Sequence, residues 1–192
     1  MRVRAPGMWR ITRYRMARIK RPMRSYAGKF GGDGSEMPPR PRWEVILIAW
    51  IGALAAMATL GGLAQVSQAP LVMAPFGASA VLLFGHPESP LTQPRNVLGG
   101  HCLGGVIGLA TGTWLGTSWP LMALAVATTI ALMKATRTVH PPAGATAIVC
   151  MSFAPDWWRL LAPVLSGSAL LVVAAAIYNN AIEHRRYPRH WW

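Results

Sequence analysis

Pro75-Phe76-Gly77-Ala78-Ser79-Ala80-Val81-Leu82 and Pro142-Ala143-Gly144-Ala145-Thr146-Ala147-Ile148-Val149 are two copies of one box, 67 positions apart (142 minus 75). At the same offset and without a gap, Val97-Leu98-Gly99-Gly100 falls on Val164-Leu165-Ser166-Gly167. Shared apolar composition gives scattered Ala and Leu matches. It does not readily give a Pro-x-Gly-Ala-[Ser/Thr]-Ala box followed at a fixed distance by a Val-Leu-small-Gly box, twice. In an apolar chain, a duplicated unit with Pro- and Gly-broken segments in corresponding positions points to a transport site between two repeats.

The chain around the boxes has the composition of a membrane protein. Hydrophobic residues make up 53% and charged residues 13%, about half the charged share of a soluble domain. No Asp, Glu, Lys or Arg occurs from Val45 to Gly62, from Val97 to Met133, or from Leu160 to Ile182. Runs of about 20 apolar residues match the roughly 30 Å hydrocarbon core of a bilayer. Clear spans are expected at about 45–64, 97–116 and 160–181, with a shorter fourth at 119–135. The boxes open two brief apolar stretches, 71–85 and 142–154. Cys102 and Cys150 lie inside apolar segments and read as buried structural thiols.

Residues 1–42 differ. They hold twelve of the nineteen Lys and Arg residues, with only Asp33 and Glu36 as acids. No apolar h-region is present, so the segment is not a signal peptide; it is Arg-rich and acid-poor like a transit peptide but lacks the Ser enrichment. It is expected to be a disordered basic cytoplasmic tail resting on anionic headgroups. No nucleic-acid partner is expected, because topology already explains a basic flank beside a span. A transmembrane domain is expected over 43–183, with a short basic cytoplasmic C-terminus at 184–192.

Basic residues mark the cytoplasmic side, chiefly in short loops. Both flanks of the apolar region are basic, with Arg185, Arg186 and Arg189 after the last span, so an even number of crossings is expected. If both short stretches cross, Arg95, Lys134 and Arg137 fall inside and only Arg159, offset by Asp156, falls outside. If they dip in and return, giving four crossings, Lys134 and Arg137 fall outside. Six spans are preferred. Three spans per repeat make the repeats, about 44–110 and 111–177, inverted in topology. The expected fold is therefore all-α and transmembrane: six helices as two inverted three-helix repeats, with short Pro/Gly-started helices at 71–85 and 142–154. The expected location is the cell inner (plasma) membrane, with both termini cytoplasmic, ahead of an organellar envelope.

Proline suits the first turn of a helix, where its missing N–H would be unpaired. Helices starting at Pro75 and Pro142 inside the membrane would aim free N–H groups and partial positive charge at the midplane, which favours an anion. Gly77, Ala78 and Ser79, with Gly144, Ala145 and Thr146, are the expected substrate-binding residues, Ser79 and Thr146 donating hydroxyl hydrogen bonds. The competing reading is close packing, with Ser and Thr bonded back to their own helices. No acid lies in any span, which disfavours a cation path. His140 is a candidate for attracting an anion or sensing pH, or is a helix-end residue at the interface. His101, the one ionisable group well inside a span, is functional by default or snorkels. Arg95 is an anion gate or, preferably, a positive-inside anchor.

Gly100, Gly104, Gly108, Gly112 and Gly116 recur every four residues and form a smooth ridge for a neighbouring helix. That neighbour lies either in the same chain or in a second copy, a homo-oligomer through Gly100, Gly104, Gly108 and Gly112. Trp43, Trp50, Trp114, Trp119, Trp157 and Trp158 fall mostly near expected span ends, as an aromatic belt does.

His140-Pro141-Pro142-Ala143-Gly144-Ala145-Thr146-Ala147 and Ala74-Pro75-Phe76-Gly77-Ala78-Ser79-Ala80-Val81-Leu82-Leu83-Phe84 resemble the HPP family of integral membrane proteins, and Pro94-Arg95-Asn96-Val97-Leu98-Gly99-Gly100-His101 adds to the match. The resemblance covers about residues 43–182. The family is usually described with four membrane spans. Its plant and cyanobacterial members are associated with nitrite transport, which makes nitrite the lead substrate the resemblance implies.

The leading expectation is a transporter or channel for a small monovalent anion, held near the midplane at two facing helix N-termini. The alternative is a non-transporting assembly or sensor subunit. Enzyme activity is not expected, because no nucleophile triad, His-Glu-x-x-His motif or carboxylate pair lies in or near the spans. No cofactor or metal is implied. The expected partners are the bilayer and the anion.

Overall fold

The computed structural model describes residues 28–32, 34–154 and 156–191. Most of the expected tail, residues 1–27 and 33, lies outside them. Among the described residues of 28–40, Gly28–Gly31 form one 3-10 turn and the side chains are exposed.

Six α-helices follow: α1 (Trp43–Ser67), α2 (Ala74–Gly85), α3 (Pro94–Trp114), α4 (Trp119–Thr136), α5 (Pro142–Ser152) and α6 (Trp157–Asn180). No strand occurs among the described residues. Proline stands in the first turn of α2, α3, α4 and α5, where it costs no hydrogen bond. α1 and α4 both end on a left-handed residue, Gln68 (φ 56) and Arg137 (φ 58). Gly116 (φ 107) makes the turn after α3, a conformation that suits a residue without Cβ. The fifth member of the glycine series is thus a turn residue, and four remain on the ridge.

α1, α4 and α6 are long and apolar enough to cross a bilayer. The expected clear span at 97–116 is not among them, and the shorter 119–135 is. α3 has the length, but its glycines, Asn96 and His101 dilute its hydropathy. It lies at the centre of the bundle against α4, α5 and α6, so it meets protein more than lipid. α2 and α5 have 12 and 11 residues. At 1.5 Å per residue each covers roughly half of a bilayer's hydrocarbon core. The irregular segments beside α2 are buried only in part: Leu71, Pro87, Thr92 and Gln93 are buried, while Gln68, Pro70, Val72, His86, Glu88 and Pro90 are exposed.

The helices alternate in direction. At one end Arg95 donates to the Thr136 carbonyl (2.7 Å), Asn96 to Val139 (2.9 Å) and Arg185 to Phe84 (3.0 Å). Those contacts gather the end of α2, the start of α3, the end of α4 and the segment after α6. At the other end the Trp157 indole N–H donates to Thr113 (3.1 Å), and Pro70, Met73 and Ala74 line a cavity with Val149, Phe153 and Leu160.

The ridge expected from the glycine spacing packs inside the chain, against α5. A Cβ at Gly104 would overlap the Ala143 carbonyl oxygen, one at Gly108 the Ala147 carbonyl oxygen, and one at Gly112 would lie 2.6 Å from the Met151 oxygen. The surface expected as one option for a homo-oligomer is therefore occupied by α5. Five of the six tryptophans of the expected belt are exposed, and Trp157 is half-buried. Trp43, Trp119 and Trp157 open helices, Trp158 follows Trp157, Trp114 closes one, and Trp50 sits two turns inside α1.

The two boxes share one burial pattern. Along 75–84 and along 142–151, residue by residue, the sequence of buried, half-buried and exposed positions is identical. Val81 and Ile148, equivalent in the repeat, are both exposed, and Ser79 and Thr146 are both buried. Packing is also exchanged between copies. A Cβ at Gly167 would strike the Phe76 ring, and one at Gly100 would lie 3.3 Å from Ala143 Cβ. Position 76 is the repeat partner of 143, and 100 of 167.

Candidate functional site

Four of the residues picked out by sequence come together at the bundle centre. His101 from α3, Ser79 from α2, Thr146 from α5 and His140 just ahead of α5 are all essentially inaccessible. His101 Nδ1 lies 2.8 Å from Thr146 Oγ1. Its Nε2 lies 2.9 Å from Ser79 Oγ, which lies 2.9 Å from His140 Nε2. His140 Nδ1 lies 2.9 Å from the Leu91 carbonyl. The imidazoles meet edge to face, ring centroids 5.0 Å apart, and Phe76 closes the other side of His101 at 5.3 Å.

One acceptor fixes the hydrogens. The Leu91 carbonyl can only accept, so His140 Nδ1 carries a proton. In a neutral ring its Nε2 is then a lone pair, and the Ser79 hydroxyl donates to it. Ser79 Oγ offers a lone pair to His101, so His101 Nε2 carries the hydrogen and its Nδ1 accepts from Thr146. These bonds run in one direction, from Thr146 through His101, Ser79 and His140 to Leu91, and the Pro75 carbonyl is a second acceptor within reach of the Ser79 hydroxyl at 3.1 Å. No buried side-chain N or O lacks a partner among the described residues, as buried polar groups require.

Glycine makes the cluster possible. A Cβ at Gly100 would sit 2.7 Å from His140 Cβ, and one at Gly104 would lie 3.3 Å from Thr146 Cβ. Those two contacts let α3 come close enough for His101 to reach both boxes.

The other expected site residues lie elsewhere. Gly77 and Gly144 are half-buried, and an added Cβ meets nothing within 4 Å at Gly77 and only Val126 Cγ1 at 3.8 Å at Gly144. Ala78 and Ala145 are exposed. These four face away from the cluster. Arg95 ties the end of α4 through the Thr136 carbonyl. The two box N-termini do not face each other. Met73, ahead of α2, packs near Cys150 late in α5, while His140, ahead of α5, holds Leu91 beyond the end of α2. The short helices therefore run antiparallel, with their first turns at opposite ends. The Ala143 and Gly144 N–H groups are also already bonded, to His140 and Pro141 carbonyls at 3.0 and 3.1 Å, because the first turn tightens to 3-10 geometry.

Sequence reasoning passed over the segment after α6. The Tyr187 hydroxyl donates to the Thr92 carbonyl (2.9 Å), and Gln93 Oε1 accepts from the Arg189 N–H (2.8 Å). Tyr187 is buried, and burial pushes its phenol above its ordinary pKa. Arg185, read as a topological charge, donates to Asn179 Oδ1 as well as Phe84.

The family model for the HPP transmembrane region matches residues 38–188, which takes in the packed Tyr187. The chain belongs to the HPP transmembrane family. Two relatives are named only as transmembrane proteins of Dictyostelium discoideum. One is 35% identical over 187 residues, covering 91% of this chain and 66% of its own length. The other is 36% identical over 179 residues, covering 87% and 57%. This HPP chain thus spans between about half and two thirds of the relatives it matches. No solved structure matches it.

Proposed function

We propose that the protein is a transporter or channel for a small monovalent anion, with nitrite as the lead substrate, and that the buried cluster is where the anion is held. One observation carries this reading: His101 is shared by Ser79 and Thr146, the equivalent hydroxyls of the two boxes, at a centre free of carboxylates. The described acids, Glu36, Glu44, Glu88, Asp156 and Glu183, are all exposed. Hydroxyl and imidazole N–H donors without a competing acid suit an anion, and an arriving anion exchanges with bonds the donors make to one another. Buried polar and ionisable groups in a membrane bundle mark substrate paths by default.

The shared burial pattern, exchanged packing and alternating helix directions support two inverted repeats. Exchanging α1 with α4, α2 with α5 and α3 with α6 also carries the close helix pairs onto each other: α3–α5 onto α6–α2, and α3–α4 onto α6–α1. Six crossings with both ends of the domain on the cytoplasmic side of the cell membrane fit this arrangement. The facing-N-terminus site is replaced by one built from side chains.

The test is a flux panel in proteoliposomes with nitrite, nitrate, formate and chloride. Nitrite flux above protein-free vesicles is expected. Sealed vesicles holding folded protein and passing none of these anions would return the chain to the reading as a non-transporting subunit.

A further inference from the structure

We propose that Thr146, His101, Ser79 and His140 form a single-proton site, and that the proton crosses together with the anion, one for one. The second half rests on the anion-transport reading. The first stands on the hydrogen-bond geometry alone.

Ser79 Oγ lies 2.9 Å from His140 Nε2 and 3.1 Å from the Pro75 carbonyl oxygen. Its one hydrogen therefore has two acceptors within reach. In the neutral cluster it goes to His140 Nε2. When a proton from solution binds that lone pair, Nε2 becomes a donor and the hydroxyl hydrogen turns to Pro75. Ser79 then accepts from both imidazoles and donates to the carbonyl. No heavy atom needs to move, no polar group loses its partner, and the balance is one proton in and no bond to carbon changed.

The site holds one proton. A second would put two imidazolium rings at a centroid distance of 5.0 Å, like charges at a range where they exclude each other. The groups in contact with the pair are Ser79 and Phe76 on α2, Gly100 on α3, Met133 Sδ on α4 at 3.5 Å from the His140 backbone N, Thr146 on α5 and the Leu91 carbonyl. None is an acid or a fixed cation.

A lone charge is costly in this setting. A proton without an anion leaves a bare buried cation, and an anion without a proton leaves a bare buried anion. Each relieves the other, so each binds more tightly when the other is present, by the reciprocity of linkage. The transported unit is electrically neutral.

The test has two arms on the full chain in liposomes. In the first, imidazole 15N spectra are recorded against pH with nitrite present. At high pH His101 should carry its hydrogen on Nε2 and His140 on Nδ1, and acidification should give one imidazolium per chain. No imidazolium, two of them, or the opposite tautomers would overturn the proton site. In the second, nitrite flux is followed with a pH dye inside the vesicle and the voltage clamped by potassium and valinomycin, above the background of protein-free vesicles. One proton per nitrite is expected, with no response to voltage. Ser79→Ala should uncouple the two and Ser79→Thr should restore them. Voltage-driven nitrite flux without proton movement overturns the pairing and leaves the anion reading standing. Absence of nitrite flux beside a normal imidazolium signal overturns the anion reading and the pairing, and leaves the proton site.

Discussion

Gly108→Ala isolates what holds the bundle centre together. The added Cβ would overlap the Ala147 carbonyl oxygen and lie 2.9 Å from both Ala147 C and Cα. Ordinary contact begins near 3.4 Å, so α3 and α5 must part by about 0.5 Å (3.4 minus 2.9), and further for the oxygen. The struck atoms are backbone and cannot swing aside, so the upper overpacking cost of about 3 kcal/mol applies. Alanine's better helix propensity returns about 1 kcal/mol. The net loss is about 2 kcal/mol. Gly77→Ala is the matched control: nothing lies within 4 Å of its Cβ, so only the propensity term acts, a gain of about 0.5–1 kcal/mol. The assay is equilibrium unfolding of both variants in mixed micelles, followed by helical circular dichroism. Gly108→Ala should unfold at lower denaturant fraction than wild type and Gly77→Ala at the same or a higher one. Equal midpoints for the two variants, or the reverse order, would refute the assignment of close contact to the α3–α5 ridge.

Ser79→Ala leaves both imidazole Nε2 atoms without their shared partner, and stability should fall by about 1–3 kcal/mol per unsatisfied group, read in the same unfolding assay; a loss under about 0.5 kcal/mol contradicts the bonds. Tyr187→Phe should cost about 0.5–1.5 kcal/mol through the Thr92 carbonyl. The wild type should also lose stability as pH rises past about 10, the ordinary tyrosine value. Above it the unfolded chain releases a phenol proton that the folded chain, with its raised pKa, retains, so the slope of stability with pH is negative; Tyr187→Phe should flatten that slope. Single cysteines at Gln68 and Arg137, in a background lacking Cys102 and Cys150, should label from opposite faces of the membrane; labelling from one face would refute alternating crossings.

Much of the fold was legible because it follows from length, composition and repetition. The apolar runs gave the helices, the 67-residue offset gave the paired boxes, and first-turn prolines placed the starts of α2 and α5. The four-residue glycine spacing gave a close helix contact, though not whether α5 or a second chain supplied it. His101 was picked as the ionisable group inside a span, but its depth was open because the helix starts at Pro94, three residues before the expected span. Ser79 and Thr146 were equivalent by sequence, yet only the fold brings His101 between them. The box glycines, expected at the site, point outward, and the close contacts fall on Gly100, Gly104 and Gly108 instead.

The division has one physical cause. In water, a helix shows its buried face by the contrast between apolar and polar sides. In a bilayer, lipid and protein core are both apolar, and that contrast disappears. α1, α4 and α6 are apolar all round, so their sequences state that they cross but not which side meets protein. What remains readable are the exceptions: a glycine where backbones touch, a hydroxyl or imidazole where polarity must be satisfied. The sequence placed those exceptions along the chain. Which of them meet depended on the antiparallel course of α2 and α5 and on the closeness of α3, and only the tertiary structure decides that.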